Sequence, residues 1–151
     1  MARILIVPCG CRGRALAAEL VAAGHAVRGT TRDPAHADAI RAAGAEPYVG
    51  DPDRIGTLMD SLAGVTIFCW LMGTLPVPAL HAGRLRMLWE KLVDTPVRGV
   101  LYEGSLPEGE AVARTASETW RIPLEVLTAV PGEHAAWLAA ARASVDRLLG
   151  V

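Results

Sequence analysis

The chain has 151 residues, the usual size of one folded domain. Hydrophobic residues make up 52% of it, enough for a full core without disulfides. The net charge of −1 gives no electrostatic reason to expect nucleic acid or a membrane surface as a partner, and no apolar run is long enough to span a bilayer.

The first half of the chain alternates strand and helix patterns. The β-branched run "RILIV" (3–7) predicts a strand buried on both faces. In chain order it is followed by a helix over 14–24, a strand over 25–31, a helix over 33–44, a strand over 45–50 and a helix over 51–64. Asp33-Pro34 and Asp51-Pro52 each resemble a helix start, with aspartate as N-cap and proline in the first turn.

The second half continues the same alternation with three more strands and three more helices. In chain order these are a strand over 65–72, a helix over 78–94, a strand over 97–104, a helix over 107–120, a strand over 122–130 and a helix over 133–149. Strand–helix alternation of this kind favours a parallel sheet with helices on both faces. We therefore predict a Rossmann-type, doubly wound α/β sheet of about six strands in the order 3-2-1-4-5-6, formed by residues 1–151 as a single domain.

The turn after the first strand has the spacing of a nucleotide-binding loop. A dinucleotide loop needs a tight turn, a backbone close enough to touch a pyrophosphate, and close helix–strand packing. Gly10 and Gly13 fill the second and third glycine positions of that pattern, with Cys11 and Arg12 between them. Pro8 replaces the first glycine, and its fixed φ and missing N–H require a different turn. A tight turn without a ligand is the alternative.

The stretch "ILIVPCGCRGRALAAELVAAGHAVRGTTRDP" resembles the N-terminus of the short-chain dehydrogenase/reductase superfamily, in particular its atypical, extended and NmrA-like members. The resemblance continues through "GDPD" (50–53), "GVTIFCWLMG" (64–73) and "VRGVLYEGS" (97–105). It implies an NAD(P)-binding protein.

The end of the second strand bears on which nucleotide binds. An NAD site places a carboxylate there for the ribose 2′-hydroxyl, whereas this chain has Thr31 and Arg32. A guanidinium suits a 2′-phosphate, and Arg12 is a candidate second cation. The resemblance therefore implies NADP in preference to NAD. Asp33 is interpreted as a helix cap, and a solvated Arg32 is the alternative.

Two further positions match the adenosine side of that family's site. Asp51 matches an aspartate near the adenine, although it is equally an N-cap candidate. Gly73 matches the loop that passes the ribose. Trp70 and Met72 are bulkier than the residues usual beside that loop, which argues against a close fit of the ribose.

The catalytic pair of the superfamily is a tyrosine followed four residues later by a lysine, which lowers the tyrosine pKa for proton exchange. Here Tyr48 is followed at that spacing by Pro52, and Tyr102 by Leu106. Ser105 and Tyr102 remain as catalytic candidates. Tyr102 and Glu103 either face the nicotinamide end or are surface residues at the end of a strand.

The three cysteines are an odd number, so a disulfide framework is not expected and a reducing cytoplasm is the predicted compartment. Cys9, Cys11 and Cys69 are expected near one another, either as buried small residues or in a redox role. No metal site is predicted, and the four histidines are too scattered to form a cluster. Trp89 and Trp137 are expected either in the core or, as the family resemblance implies, with one of them exposed at a contact in a homodimer.

Taken together, these patterns predict an NADP(H)-binding protein without the usual Tyr-x-x-x-Lys pair, acting as a binding, sensing or regulatory module. Two alternatives stay open. One is a small NAD(P)H-dependent reductase or epimerase-like enzyme in which the cofactor performs the chemistry. The other is a degenerate scaffold that binds no nucleotide.

Overall fold

A computed structural model describes residues 1–75 and 77–151. Its central element is a β-sheet. Six parallel strands pair in the order β3-β2-β1-β4-β5-β6. Their bounds are β1 (Arg3–Val7), β2 (Ala26–Thr31), β3 (Glu46–Val49), β4 (Ile67–Leu71), β5 (Val100–Glu103) and β6 (Leu124–Val126). The predicted doubly wound α/β fold and its strand order are confirmed.

Residues 1–75 and 77–151 contain five α-helices and three 3₁₀ segments, which lie between the strands or, for the last helix, after them. The α-helices are α1 (Cys11–Ala22), α2 (Ala37–Ala42), α3 (Gly83–Leu92), α4 (Pro107–Trp120) and α5 (His134–Leu149). The 3₁₀ segments are Pro34–His36, Ile55–Leu62 and Pro78–His81. No helix among residues 1–75 and 77–151 is long and apolar enough to cross a membrane.

Three of the predicted helices differ from the observed ones. In the helix predicted over 33–44, the first turn is 3₁₀ (Pro34–His36) and α2 begins only at Ala37. Asp51 and Pro52 open a turn that is closed by a β-bridge between Asp51 and Arg54, and a 3₁₀ segment begins only at Ile55. The predicted helix over 78–94 is interrupted at Ala82, where φ is −140° and ψ is −95°. Its first turn is therefore 3₁₀, and α3 begins at Gly83.

Each face of the sheet has its own core. On one face, alternate strand residues such as Ile6 and Leu101 pack against α1, α2 and α5. On the other, Phe68 and Trp70 stack at 6.2 Å between ring centroids and pack against α3, α4 and the 3₁₀ segments. Trp70 is completely buried there, so it does not block the edge of the sheet.

The tryptophans proposed for a subunit contact are both interior residues. Trp137 is completely buried against one face of the sheet, and Trp89 is 1% exposed on the other. The prediction that either is exposed is wrong, because each supplies the large apolar side chain with which its helix packs on the strands. The exposed tryptophan is Trp120, at the end of α4.

Candidate functional site

A cavity of about 570 Å³ lies at the carboxyl edge of the sheet, a volume within the range of small-molecule sites. Ligands of open parallel sheets bind at this edge, where the strand order reverses between β1 and β4. Its lining residues are Pro8, Cys9, Gly10, Arg14, Thr30, Thr31, Arg32, Asp33, His36, Asp51, Pro52, Asp53, Thr74, Leu75, Val77 and Leu80. Four of the predicted binding residues, Gly10, Thr31, Arg32 and Asp51, are therefore together in one cavity.

The loop after β1 keeps its backbone close to the sheet despite Pro8. The Val7–Pro8 peptide is cis, and the Cys9 N–H donates to the Thr30 carbonyl oxygen at 2.8 Å, which extends the pairing with β2 past the proline. A Cβ on Gly13 would lie 3.0 Å from the Pro8 carbonyl oxygen, so the glycine permits close packing of α1. Gly13 thus performs the packing role expected of the third glycine.

The start of α1 faces the open side of this loop. Gly10 is the N-cap residue and provides no side-chain hydrogen bond to the first turn. A Cβ at Gly10 would meet no described atom within 4 Å, so the space beside it is open. Uncapped N–H groups at a helix N-terminus attract anions such as phosphate.

Two guanidinium groups and the hydroxyl of Thr30, which is unpartnered in the described part of the chain, line the cavity. Arg32 follows β2, and Arg14 reaches the cavity from the first turns of α1. Within residues 1–75 and 77–151, no carboxylate forms an ion pair with either arginine. Thr30 is 1% exposed, and its Oγ1 has no hydrogen-bond partner among the described residues. A ligand with acidic and hydroxyl groups fits these donors.

Two of the three aspartates that line the cavity, Asp33 and Asp51, also hold its walls in shape. Asp33 Oδ1 accepts from the Ala35 N–H at 2.9 Å, so the predicted N-cap is confirmed. Asp51 Oδ1 accepts from the Asp53 N–H at 2.9 Å and closes the turn after β3. Thr31 Oγ1 accepts from the Asp33 N–H at 3.1 Å. These bonds leave part of each oxygen's accepting capacity for a ligand.

Arg12 points away from the cavity and forms a second cluster. Its guanidinium donates to both carboxylate oxygens of Glu103 at 2.7 Å and lies 4.7 Å from the centre of the Trp137 ring. The same carboxylate accepts from Trp137 Nε1 at 2.6 Å and from the Gly73 N–H at 3.0 Å. Glu103, expected at the surface or facing a ligand, is 2% exposed and fully bonded within the protein.

The two catalytic candidates meet through a histidine that the sequence did not single out. Tyr102 Oη lies 3.3 Å from Nδ1 of the buried His81, and Ser105 Oγ lies 3.2 Å from its Nε2. Nε2 is also 2.7 Å from the Leu75 carbonyl oxygen, which can only accept a hydrogen bond. In the neutral ring, Nε2 therefore carries the proton and Nδ1 accepts from Tyr102. This tautomer has no lone pair to activate Ser105 as a nucleophile.

Neither catalytic candidate reaches the cavity. Tyr102 is 1% exposed, and burial together with the charges of Glu110 and Glu108 raises its pKa to about 12. Ser105 is exposed, and both residues line a separate, smaller hollow between β5 and β6. The surface alternative for Tyr102 is therefore wrong, because its hydroxyl is enclosed by α4.

No protein-family model and no curated protein matches the sequence, whereas solved structures match its fold. A Citrobacter sp. triphenylmethane reductase complexed with NADP(H) is 19% identical, with a TM-score of 0.67 over 84% of this chain and 48% of that one. A superfamily protein of the short-chain dehydrogenase/reductase type from Agrobacterium tumefaciens, with bound NAD, is 18% identical at a TM-score of 0.64 over 83% and 48%. A yeast methylglyoxal/isovaleraldehyde reductase complexed with NADPH is 11% identical at 0.65 over 84% and 54%.

The chain has the doubly wound, Rossmann-type fold of these proteins. It spans about half the length of the solved structures that it matches. The resemblance inferred from residues 4–34, 50–53, 64–73 and 97–105 is thus confirmed at the level of the fold.

Within this fold, the thiols are divided between interior and surface. Cys9 and Cys69 are buried and Cys11 is exposed. Burial raises the pKa of Cys9 to about 11 and that of Cys69 to about 12, with the neighbouring Cys9 adding to the second shift. Within residues 1–75 and 77–151, no three His, Cys, Asp or Glu side chains are arranged to hold a metal.

Sequence reasoning assigned the second cation of the cavity to Arg12 and overlooked Arg14 and Thr30. Arg12 and Arg14 flank Gly13, and only the position of each residue around the axis of α1 decides which side chain faces the cavity. Thr30 could have been predicted from the alternation of faces along β2, because Thr30 lies on the opposite face of the sheet from Gly29.

Proposed function

We propose that this protein binds NADP(H) in the cavity beside β1 and β2, as a binding or sensing module that regulates a partner. The observation that carries the proposal is one cavity that joins the uncapped start of α1 to the guanidiniums of Arg14 and Arg32. Structures with this fold that are complexed with NADP(H) or NAD support it. Residues 1–151 are proposed to act as one nucleotide-binding domain.

Each part of the ligand has a proposed contact. The backbone N–H groups of Gly10, Cys11 and Gly13 are proposed to receive the phosphates next to the adenosine ribose. Arg32, with Arg14, is proposed to bind the 2′-phosphate through paired donors. The Thr30 and Thr31 hydroxyl groups lie beside the ribose in this arrangement. Asp51 is proposed to accept from the adenine amino group.

Four residues predicted for the cofactor do not line the cavity and remain proposals in a changed form. Cys11 and Gly13 contribute only backbone, and Gly73 donates its N–H to Glu103. Arg12 is proposed as a positioning residue, since its side chain is paired with Glu103.

Titration with NADPH and NADH, followed by tryptophan fluorescence, tests the proposal. We expect NADPH to bind at least about tenfold more tightly, because a guanidinium–phosphate contact is worth about 1.5–3 kcal/mol. Arg32→Asp should reverse the preference. Arg98→Asp, which changes an exposed arginine before β5, is the matched control and should leave it unchanged. Absence of saturable binding by either nucleotide would contradict the proposal and favour the scaffold alternative.

A small NAD(P)H-dependent reductase is the second candidate function. Two of the matched proteins are reductases, which favours this function. In that case the cofactor supplies the hydride and the protein positions it. Oxidation of NADPH by the purified protein with a panel of carbonyl compounds would support this function over sensing.

Two predictions from the sequence carry over as proposals. The three free cysteines suit a reducing cytoplasm. We propose a homodimer whose contact does not involve Trp89 or Trp137. Sedimentation of the purified protein measures its oligomeric state.

A further inference from the structure

The polar cluster formed by Arg12, Gly73, Glu103 and Trp137 lies across the crevice from the cavity. Arg12 follows β1, Gly73 follows β4, and Glu103 ends β5, so the Glu103 carboxylate joins the two strands between which the strand order reverses. In a sheet of this kind, a dinucleotide crosses the edge at that point, with one nucleotide half over each set of strands.

The cavity serves only one of those halves. All residues that line it lie within 8–14, 30–36, 51–53 and 74–80, which are the loops around β1, β2 and β3 and the loop after β4. Among the described lining residues, β5, α4, β6 and α5 contribute none. The adenosine half therefore has a formed site.

Glu103 closes the other half. A Cβ built on Gly73 would overlap the Glu103 carboxyl group, so this side chain fills the space against the backbone after β4. The carboxylate also takes up the Gly73 N–H and the Arg12 guanidinium, which are donors that a phosphate would use. An internal anion thus occupies the place of a ligand anion, and Trp137 holds it there through a 2.6 Å hydrogen bond.

We infer that the site recognises the 2′-phosphorylated adenosine half of its ligand, and that the Arg12–Glu103–Trp137 cluster excludes the nicotinamide half. The inference rests on the proposed function and specifies which part of the nucleotide is recognised. Glu103 is then the residue that determines specificity for a half-ligand over the whole dinucleotide. A nicotinamide held outside the crevice has no fixed position for hydride transfer, which agrees with sensing.

Comparison of NADP⁺ with adenosine 2′,5′-bisphosphate in calorimetric titrations tests the inference. We expect the wild-type protein to bind the two with dissociation constants within about fivefold, because the adenosine half makes all the contacts. Tighter binding of NADP⁺ by more than that factor would overturn the inference and leave the proposed function standing. Failure of both ligands to bind would overturn the proposed function and the inference with it.

A variant tests the inference independently of the wild-type titrations. Glu103→Ala opens the space beside Gly73 and should strengthen NADP⁺ binding at least about fivefold relative to adenosine 2′,5′-bisphosphate, whose binding reports that the variant is folded. Glu125→Ala is the matched control, since it removes an arginine-paired carboxylate from the neighbouring strand β6. An unchanged ratio in Glu103→Ala would overturn the inference.

Should Glu103→Ala fail to fold, the wild-type protein supplies a second measurement. The emission wavelength of the reduced nicotinamide responds to the polarity of its surroundings, so an excluded ring should emit at the wavelength of free NADPH even at saturation. A blue-shifted emission on binding would place the ring inside the protein and overturn the inference.

Discussion

Cys9 and Cys69 illustrate how single residues couple stability to pH. Both thiols are buried beneath the carboxyl edge, where they pack as small apolar groups. Burial disfavours the thiolate, so the pKa values rise from the ordinary 9.0 to about 11 and about 12. Folding therefore favours the protonated thiols of Cys9 and Cys69 over their thiolates.

The free energy of unfolding should fall as the pH rises from about 9 to about 12. In this window the unfolded chain releases thiol protons that the folded protein retains, so stability is full below pH 9 and is lost as the pH passes the folded pKa values. Each group contributes a slope of up to about 1.4 kcal/mol per pH unit. Urea denaturation across this range measures the slope, and Cys69→Ala should reduce it. Cys11→Ala is the control for thiol removal, and a slope unaffected by Cys69→Ala would contradict the prediction.

Contacts between elements depend on glycines that admit a large side chain. Tyr102 on β5 projects its hydroxyl between Gly104 and Gly109, and a Cβ on either glycine would overlap that hydroxyl group. Gly109 is buried in the first turn of α4. The distance between β5 and α4 is therefore set by the absence of a side chain on the helix.

Gly109→Ala should destabilise the protein by about 1–3 kcal/mol, because the added methyl group overpacks the contact with Tyr102. Adding Tyr102→Phe removes the overlapping hydroxyl, so the second variant should recover at least about 1 kcal/mol of that cost. Thermal or urea unfolding of the four proteins in the cycle gives the coupling. Gly83→Ala, in the first turn of α3 with no atom within 4 Å of its added Cβ, is the matched control and should be neutral or stabilising. Additive effects in the cycle would contradict this account.

At the scale of the whole molecule, the carboxyl edge is divided into an open and a closed part. The open part lies over β1, β2 and β3 and contains the cavity with its two arginines. The closed part lies over β4 and β5, where Glu103 bonds to α1, α5 and the loop after β4. Because this cavity forms only when the chain is folded, its ligand binds the folded protein and not the unfolded chain.

Nucleotide binding should therefore stabilise the whole protein. NADP⁺ at about one hundred times its dissociation constant should add about 2.7 kcal/mol to the free energy of unfolding. Denaturation with and without the nucleotide measures the gain, which should shrink for Arg32→Asp at the same concentration. An equal gain from nicotinamide mononucleotide, which lacks adenosine, would argue against the cavity as the site.

The alternation of patterns was sufficient to predict the sheet, because each short apolar run is long enough for a strand and too short for a helix. Local signals also located α4, predicted over 107–120 and found there. They overestimated β6, which was expected over 122–130 and pairs only over Leu124–Val126. After Val126, the Leu127 N–H makes one more bond to Tyr102 and the chain leaves the sheet, which its apolar composition did not reveal.

The site was less predictable than the fold because its decisive contacts are far apart in sequence. Arg12 and Glu103 are separated by 91 residues, and no local spacing relates them. His81 joins Tyr102 and Ser105 only because the 3₁₀ turn before α3 brings it beside β5. Thr31 and Arg32 were predicted because they lie at the end of β2, where the family resemblance implies ribose contacts, whereas Thr30, one residue earlier, was overlooked.

The exposure of Cys11 has a practical consequence. It is the one thiol of the three at the surface, and it occupies the first position of α1 beside the loop that is proposed to bind phosphate. A maleimide dye or nitroxide would attach there without mutagenesis, while the two interior sulfurs stay shielded in the native protein. The protein can therefore be labelled at the start of α1, where a probe would report on binding of the proposed nucleotide.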